Sequence, residues 1–427
     1  MSSPNQSPNT NFAIDVSKVL TDEQVQRALR ADQGSKARLS SWAVVDFTEK
    51  GDNYATMVTS LSVVYVLEGE ENTTSYVVKI NPKMGFIDSL NGLTRIFFDK
   101  ETEFYCKILP AMNDELRRLD LTPLNFPKCH YSDLESDNEV IFMEDLRDKG
   151  FQMYDRKKGL DSIHTTLIVK ALARLHAASL LLQARTPDTD LVDRFPFLRK
   201  DWHNTSEDDD VDILGKMCKP GLDMAEAVLQ RYKSHGGGDP WVAEVKDRVT
   251  EFFISVIKRE APFEVICHGD CWNNNVLFRY NDAGQPVEVM LVDLQLARVS
   301  SPVSDLAYLF LTSLDGPVRK DHTGAFLNAY HDALVSVLGA AGRPAPFTLP
   351  QLRQEYERKQ DYGLLFACMS VIAILSSSEE LPDLGSLKQE DIPLLQQNYK
   401  KMNLEKMDRD LAMRSRYLSL FDRFKDE

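Results

Sequence analysis

The sequence predicts an α+β chain in two lobes, a small antiparallel sheet followed by a larger, mainly helical part. Three observations carry this. The chain has 427 residues, more than one apolar core usually organises. Between residues 41 and 80, three runs rich in Val, Tyr and Thr alternate with turn residues. From Asp161 onward the apolar spacing is helical, interrupted by a short β-rich stretch around residues 265–293. The expected division is a tail over 1–14, an N-lobe over 15–145 and a C-lobe over 146–427.

Composition narrows the function classes. Hydrophobic content of 43% with 27% charged residues is that of an ordinary globular chain. A formal charge of −15 argues against nucleic acid as a partner. The six cysteines show no Cys-x-x-Cys spacing, so they read as free thiols in a reducing cytoplasm. Cys267 and Cys271 stand at metal-like spacing, but no second Cys/His pair accompanies them. Met1 to Asn11 is rich in Ser, Pro and Asn and does not read as a signal peptide. The longest apolar run, Gly363 to Leu375, is too short to span a bilayer, so no membrane partner is expected.

Taken in order, Val16 to Arg30 has the spacing of an amphipathic helix, with Thr21-Asp22-Glu23 near its start. Strands are expected over Ser41 to Thr48, Tyr54 to Leu67 and Thr73 to Ile80. Gly51-Asp52-Asn53 and Gly69-Glu70-Glu71-Asn72 are the turns between them. Backbone N–H groups of the first turn, at Gly51 and Asn53, could cover a phosphate, although the G-x-G-x-x-G spacing is missing. Lys79 sits inside the third strand, where its charge is costly unless it finds a partner. A helix over Leu93 to Leu109 offers Glu101 and Glu103, and Glu101 is the favoured partner. Glu139 to Met143 reads as a strand leading into Glu144-Asp145-Leu146, a connector whose backbone, around Phe142 to Asp145, could meet an adenine.

In the helical part, Thr165 to Leu182 places Leu167, Ala171, Leu175 and Ala178 on one face, with His176 as a packing residue. Trp241 to Glu260 reads as a helix leading into Val265-Ile266-Cys267-His268-Gly269-Asp270-Cys271-Trp272-Asn273-Asn274-Asn275. His268, Asp270 and Asn275 have the spacing of a kinase catalytic loop. A second apolar run, Val289 to Val292, ends in Asp293. Phosphoryl transfer needs such a set: Asp270 as base for an acceptor hydroxyl, with Asn275 and Asp293 as oxygen ligands for Mg²⁺. Ser304 or Asp305 starts the next helix. Asp305 is then a first-turn carboxylate, a brace for the loop, or both. No Ala-Pro-Glu string follows Asp293, which argues against a protein kinase.

His268-Gly269-Asp270-Cys271-Trp272-Asn273-Asn274-Asn275 with Val292-Asp293-Leu294-Gln295 resembles the ecdysteroid kinase-like family, within the choline kinase and aminoglycoside phosphotransferase clan. Tyr76-Val77-Val78-Lys79, Phe98-x-x-Glu101-x-x-x-Tyr105 and Met143-Glu144-Asp145-Leu146 fit the same pattern, and the likeness runs from about Arg38 to Leu420. It implies a bilobal protein-kinase-like fold and ATP- and Mg²⁺-dependent phosphorylation of a small-molecule alcohol, an ecdysteroid or a xenobiotic. By the same resemblance His268 and Asp270 form the catalytic group, Lys79 holds the α/β-phosphates and Glu101 positions it. Gly51, Asn53 and Glu144 fall on the nucleotide side, Asn275 and Asp293 hold the metal, and Asp305 supports the loop with His268. Leu294 stands where the family often has Phe. Choline or ethanolamine kinase is the alternative enzyme, and a catalytically silent ATP-binding protein is the alternative from another class.

Overall fold

The computed structural model describes residues 16–45, 57–81, 88–135, 139–201, 213–232, 239–380 and 392–425. Its first part is a five-stranded antiparallel sheet in the order β1-β2-β3-β5-β4. The strands are β1 (Arg38–Val45), β2 (Met57–Leu67), β3 (Glu70–Ile80), β4 (Cys129–Asp133) and β5 (Val140–Glu144). The β2–β3 turn is tighter than expected. Only Glu68 and Gly69 form it, both at positive φ (54° and 92°), and Glu70 to Asn72 extend β3. Two such residues match the right-handed twist of a hairpin. The expected turn at Gly51 and Asn53 lies outside the described residues.

The first helix divides where the sequence suggested one continuous element. Thr21 leaves the helical conformation and forms a capping box with Gln24, so the pieces are Val16–Val19 and Asp22–Gln33. The longer piece covers one sheet face, where Val25, Ala28 and Leu29 meet Tyr76, Val78, Ile80, Val140 and Phe142. Strand alternation sends the residues between them to the other face. Lys79, opposite Ile141 in register, therefore points toward the helix Asp88–Glu103. That helix runs through a π-helical turn, Phe104–Ile108, into Leu109–Arg117, and outlasts the expected Leu93 to Leu109.

The second part is helical around two small sheets. These comprise β6 (Phe151–Met153), β7 (Val265–Cys267), β8 (Val276–Tyr280), β9 (Pro286–Leu291) and β10 (Arg298–Ser300), paired as β10-β7 and β6-β8-β9. Asp161 caps the helix Ser162–Arg185, which packs along Gly316–Ala340. Ser162–Arg185 is long and apolar enough to cross a membrane, yet 67% of its most apolar stretch is buried inside the protein. Pro240–Lys246 and Val249–Ile257 replace the single helix expected from Trp241, because Arg248 is non-helical at φ −142°. Val303–Ser313 packs against Asp361–Leu375, and the contact depends on Gly363. A Cβ there would lie 2.1 Å from the Ala307 carbonyl oxygen.

The largest apolar core joins the two parts. Phe98, Phe104, Ile108, Met112 and Leu116 from the early helices belong to one cluster with Ile168, Leu172, Leu306 and Leu365. Each such side chain contributes roughly 1.5–3 kcal/mol by leaving water. This core does not divide at residue 145.

Candidate active site

The loop between β7 and β8 carries His268, Asp270 and Asn275, and Asp293 follows two residues after β9. Two features shape this loop. Gly269 adopts φ +85°, and a Cβ there would lie 2.0 Å from the Leu296 carbonyl oxygen, so only glycine fits. Asp305, in the first turn of Val303–Ser313, accepts the His268 N–H at 2.7 Å and the Gly269 N–H at 2.8 Å. The carboxylate thus braces the loop from beneath rather than capping its own helix.

Beneath Asp305 stands His176, whose Nε2 lies 3.0 Å from Oδ2 while Nδ1 meets the Tyr330 hydroxyl at 2.8 Å. His176 is a packing residue with a specific task, holding the brace. Burial alone would raise the Asp305 pKa, but His176, His268 and the Gly269 N–H together hold it below the usual carboxylate value. Cys267 joins His176 and Asp305 in a buried group whose ligand atoms lie within 4.8 Å. All three are already hydrogen-bonded within the protein, so the group reads as packing.

His268 is wholly buried and both its ring nitrogens are engaged. Nε2 meets the Val292 carbonyl at 3.0 Å and Nδ1 accepts the Asp270 N–H at 3.3 Å. These partners assign the neutral tautomer with the proton on Nε2, and burial lowers the ring's pKa accordingly. His268, expected in the catalytic group and as a support of the loop, links the loop to the strand end beside Asp293.

Lys79, Glu101 and Asp293 converge. The Lys79 ammonium is 2.8 Å from both Glu101 oxygens and 3.0 Å from Asp293 Oδ1. Burial opposes the Lys79 charge, but the two carboxylates outweigh it and raise the pKa. Glu103 pairs instead with Lys107 on the surface. Asp293 holds φ 69°, a left-handed conformation that Asp tolerates better than most residues. Such strain, about 1–3 kcal/mol, concentrates at functional sites.

Asp270 accepts the Asn275 amide N–H at 3.0 Å on Oδ2 and the Tyr308 hydroxyl at 2.7 Å on Oδ1. Burial, helped by the Asp293 charge, raises its pKa to about 6. The Asn275 amide nitrogen also donates to the Asp270 carbonyl at 2.9 Å, leaving the amide oxygen as its ligand atom. Gln295 donates to Asp293 Oδ2 at 3.3 Å, and its buried Oε1 has no hydrogen-bond partner. Glu101 and Asp293 share one ammonium and Asp270 lies near Asp293, so the site holds three carboxylates against one cation and offers hard oxygen donors. Both properties fit Mg²⁺.

The connector after β5 gives a different result. The Glu144 N–H donates to the Lys128 carbonyl at 2.8 Å, and its carboxylate takes the Lys128 N–H and Lys149. The Glu144 N–H and carboxylate are thus engaged within the protein. Gly51 and Asn53 lie outside the described residues. Tyr308, Gln295 and the supporting role of His176 escaped the sequence reading. Asp305-Leu306-Ala307-Tyr308 places Tyr308 one turn beyond Asp305, the signal that would have found it.

The model of the ecdysteroid kinase-like family matches residues 50–343, more than half of the chain. The chain belongs to that family. A curated relative, the uncharacterized oxidoreductase dhs-27 of Caenorhabditis elegans, is 22% identical over 280 residues, covering 63% of this chain. This chain spans only 30% of that relative's length. Among solved structures, a protein described as a fructosamine-3-kinase from Haemophilus somnus 129PT aligns with 90% of this chain and 97% of its own, at 14% identity and TM-score 0.37. A choline/ethanolamine kinase family protein from Mesorhizobium loti aligns over 93% and 98%, at 11% identity and TM-score 0.33. An aminoglycoside-3'-phosphotransferase of type VIII covers 80% and 98%, at 16% identity and TM-score 0.30. Superpositions this loose carry no weight. As a member of the ecdysteroid kinase-like family, the chain has kinase kinship independent of them.

Proposed function

We propose that this chain is an ATP- and Mg²⁺-dependent small-molecule kinase, transferring the γ-phosphate to an alcohol hydroxyl of an ecdysteroid or a xenobiotic. The observation that carries the reading is the meeting of Lys79, Glu101 and Asp293 within 3.0 Å, across as many as 214 residues of sequence. Asp270 stands beside them as base. Lys79 would hold the α/β-phosphates, Glu101 would keep Lys79 in place, and Asn275 and Asp293 would hold the metal. The acceptor's proton passes to Asp270, its oxygen forms the new bond to the γ-phosphorus, and the bond to the β-phosphate oxygen breaks to release ADP. The reading places the protein in the cytoplasm, supported by six cysteines that are all free thiols.

The choline alternative is weaker, because a cation cage needs open aromatic faces. Among the described residues, the rings around Asp270 (Tyr308, Tyr362 and Phe366) are buried and packed on one another at 5.0–6.3 Å. Mg²⁺-dependent ATP consumption against ecdysteroids, plant-derived alcohols, glucosides and choline tests the proposal. Turnover with an ecdysteroid or another alcohol supports it; ATP binding without turnover of any alcohol would sink it.

A further inference from the structure

We infer that Tyr308 is a positioning residue for phosphoryl transfer, fixing the orientation in which the Asp270 carboxylate receives the acceptor's proton. This rests on the kinase reading above. A carboxylate can turn about its terminal bond and present either oxygen. Here Oδ1 accepts the Tyr308 hydroxyl at 2.7 Å, a charge-assisted bond, and Oδ2 accepts the Asn275 amide N–H at 3.0 Å, so the two donors together set the carboxylate's rotation. Tyr308 and Asp305 stand one turn apart on the helix Val303–Ser313. Asp305 fixes the loop's backbone through the His268 and Gly269 N–H groups, and Tyr308 fixes the side chain that follows.

The mount for Tyr308 is itself stiff. Its ring lies 5.0 Å from Phe366 and 6.3 Å from Tyr362, centroid to centroid. The Tyr362 hydroxyl accepts from Arg298 at 2.6 Å, and Arg298 pairs with Asp201 at 2.6 Å. Tyr308, Tyr362, Phe366 and Arg298 are all buried, so the ring has no room to swing. Gly363 admits the close helix contact that presses these rings together.

Tyr308→Phe removes one hydroxyl and keeps the ring. With Mg·ATP and the alcohol that the wild type turns over fastest, kcat is expected to fall about 10²-fold, with the KM for ATP unchanged. Tyr356→Phe removes another buried hydroxyl, on the helix Leu349–Lys359, and should leave kcat as it was. A Tyr308→Phe enzyme with wild-type kcat overturns the inference. A crystal structure of Tyr308→Phe gives a readout that needs no turnover. The Asp270 carboxylate should be rotated out of its contact with Asn275, and a carboxylate left in place also overturns it. Should the wild type phosphorylate none of the panel, the kinase reading fails, and the crystal structure alone decides the role of Tyr308.

Discussion

Asp270, the proposed general base, is buried against Asn275 and Tyr308. Replacing it with Asn keeps the shape and removes the proton acceptor, so turnover should drop by roughly 10²–10⁴, while ATP still binds with wild-type affinity by calorimetry. Turnover should also depend on pH in one direction. With its pKa raised to about 6, Asp270 is the working carboxylate above that value, and kcat/KM should fall as pH drops through it. An acid limb centred near the ordinary carboxylate value of about 4 would contradict the burial argument. The sequence disclosed Asp270, Asn275, Asp293 and the Lys79–Glu101 pair because their spacing and local chemistry are carried within short strings. It did not disclose Tyr308 or Gln295, whose partners are chosen by how helices and loops pack. Nor did it disclose that the Glu144 N–H is taken up by the Lys128 carbonyl, a pairing set by the sheet.

The elements that hold these residues are the helix Val303–Ser313, the β7–β8 loop and the Glu101 helix. The β1–β3 meander, the strand at β5 and the helical C-terminal part were legible from alternation and spacing, whereas β4 and the order of β5 and β4 in the sheet were not. Helix ends were not, because Thr21, Arg248 and the π-helical turn at Phe104–Ile108 break a periodicity that continues through them. The loop's dependence on Asp305 makes stability depend on pH. Its carboxyl has a lowered pKa in the fold, so the stabilisation is complete above the unfolded value of about 4 and is lost as pH falls below it. Melting temperatures taken from pH 7 to pH 3 should therefore converge for wild type and Asp305→Asn, and parallel curves would exclude this linkage. Gly269→Ala should be worse tolerated than Gly363→Ala. The first combines positive φ with a backbone clash inside a tight loop. The second asks two helices to separate, an overpacking cost of about 1–3 kcal/mol readable in denaturant titrations.

At the scale of the molecule, the two parts are tied by buried polar contacts as well as apolar ones. Lys100, next to Glu101, donates to the Lys200 carbonyl at 2.7 Å, and the following residue, Asp201, pairs with Arg298 near the base of the site. Asp201→Ala would leave Arg298 buried without its carboxylate, a loss of about 3–5 kcal/mol that urea unfolding should register. A midpoint equal to the wild type's would show that the pair contributes nothing net. The shared apolar core carries a different consequence, for chain dissection. Expressed alone, residues 1–145 would bare Phe98, Phe104, Ile108, Met112 and Leu116, and residues 146–427 would bare the surface those side chains cover. Each fragment should aggregate by itself, yet the two made together in one cell should find each other and reassemble, so that a break at the proposed lobe boundary behaves as a complementation pair rather than as two independent proteins.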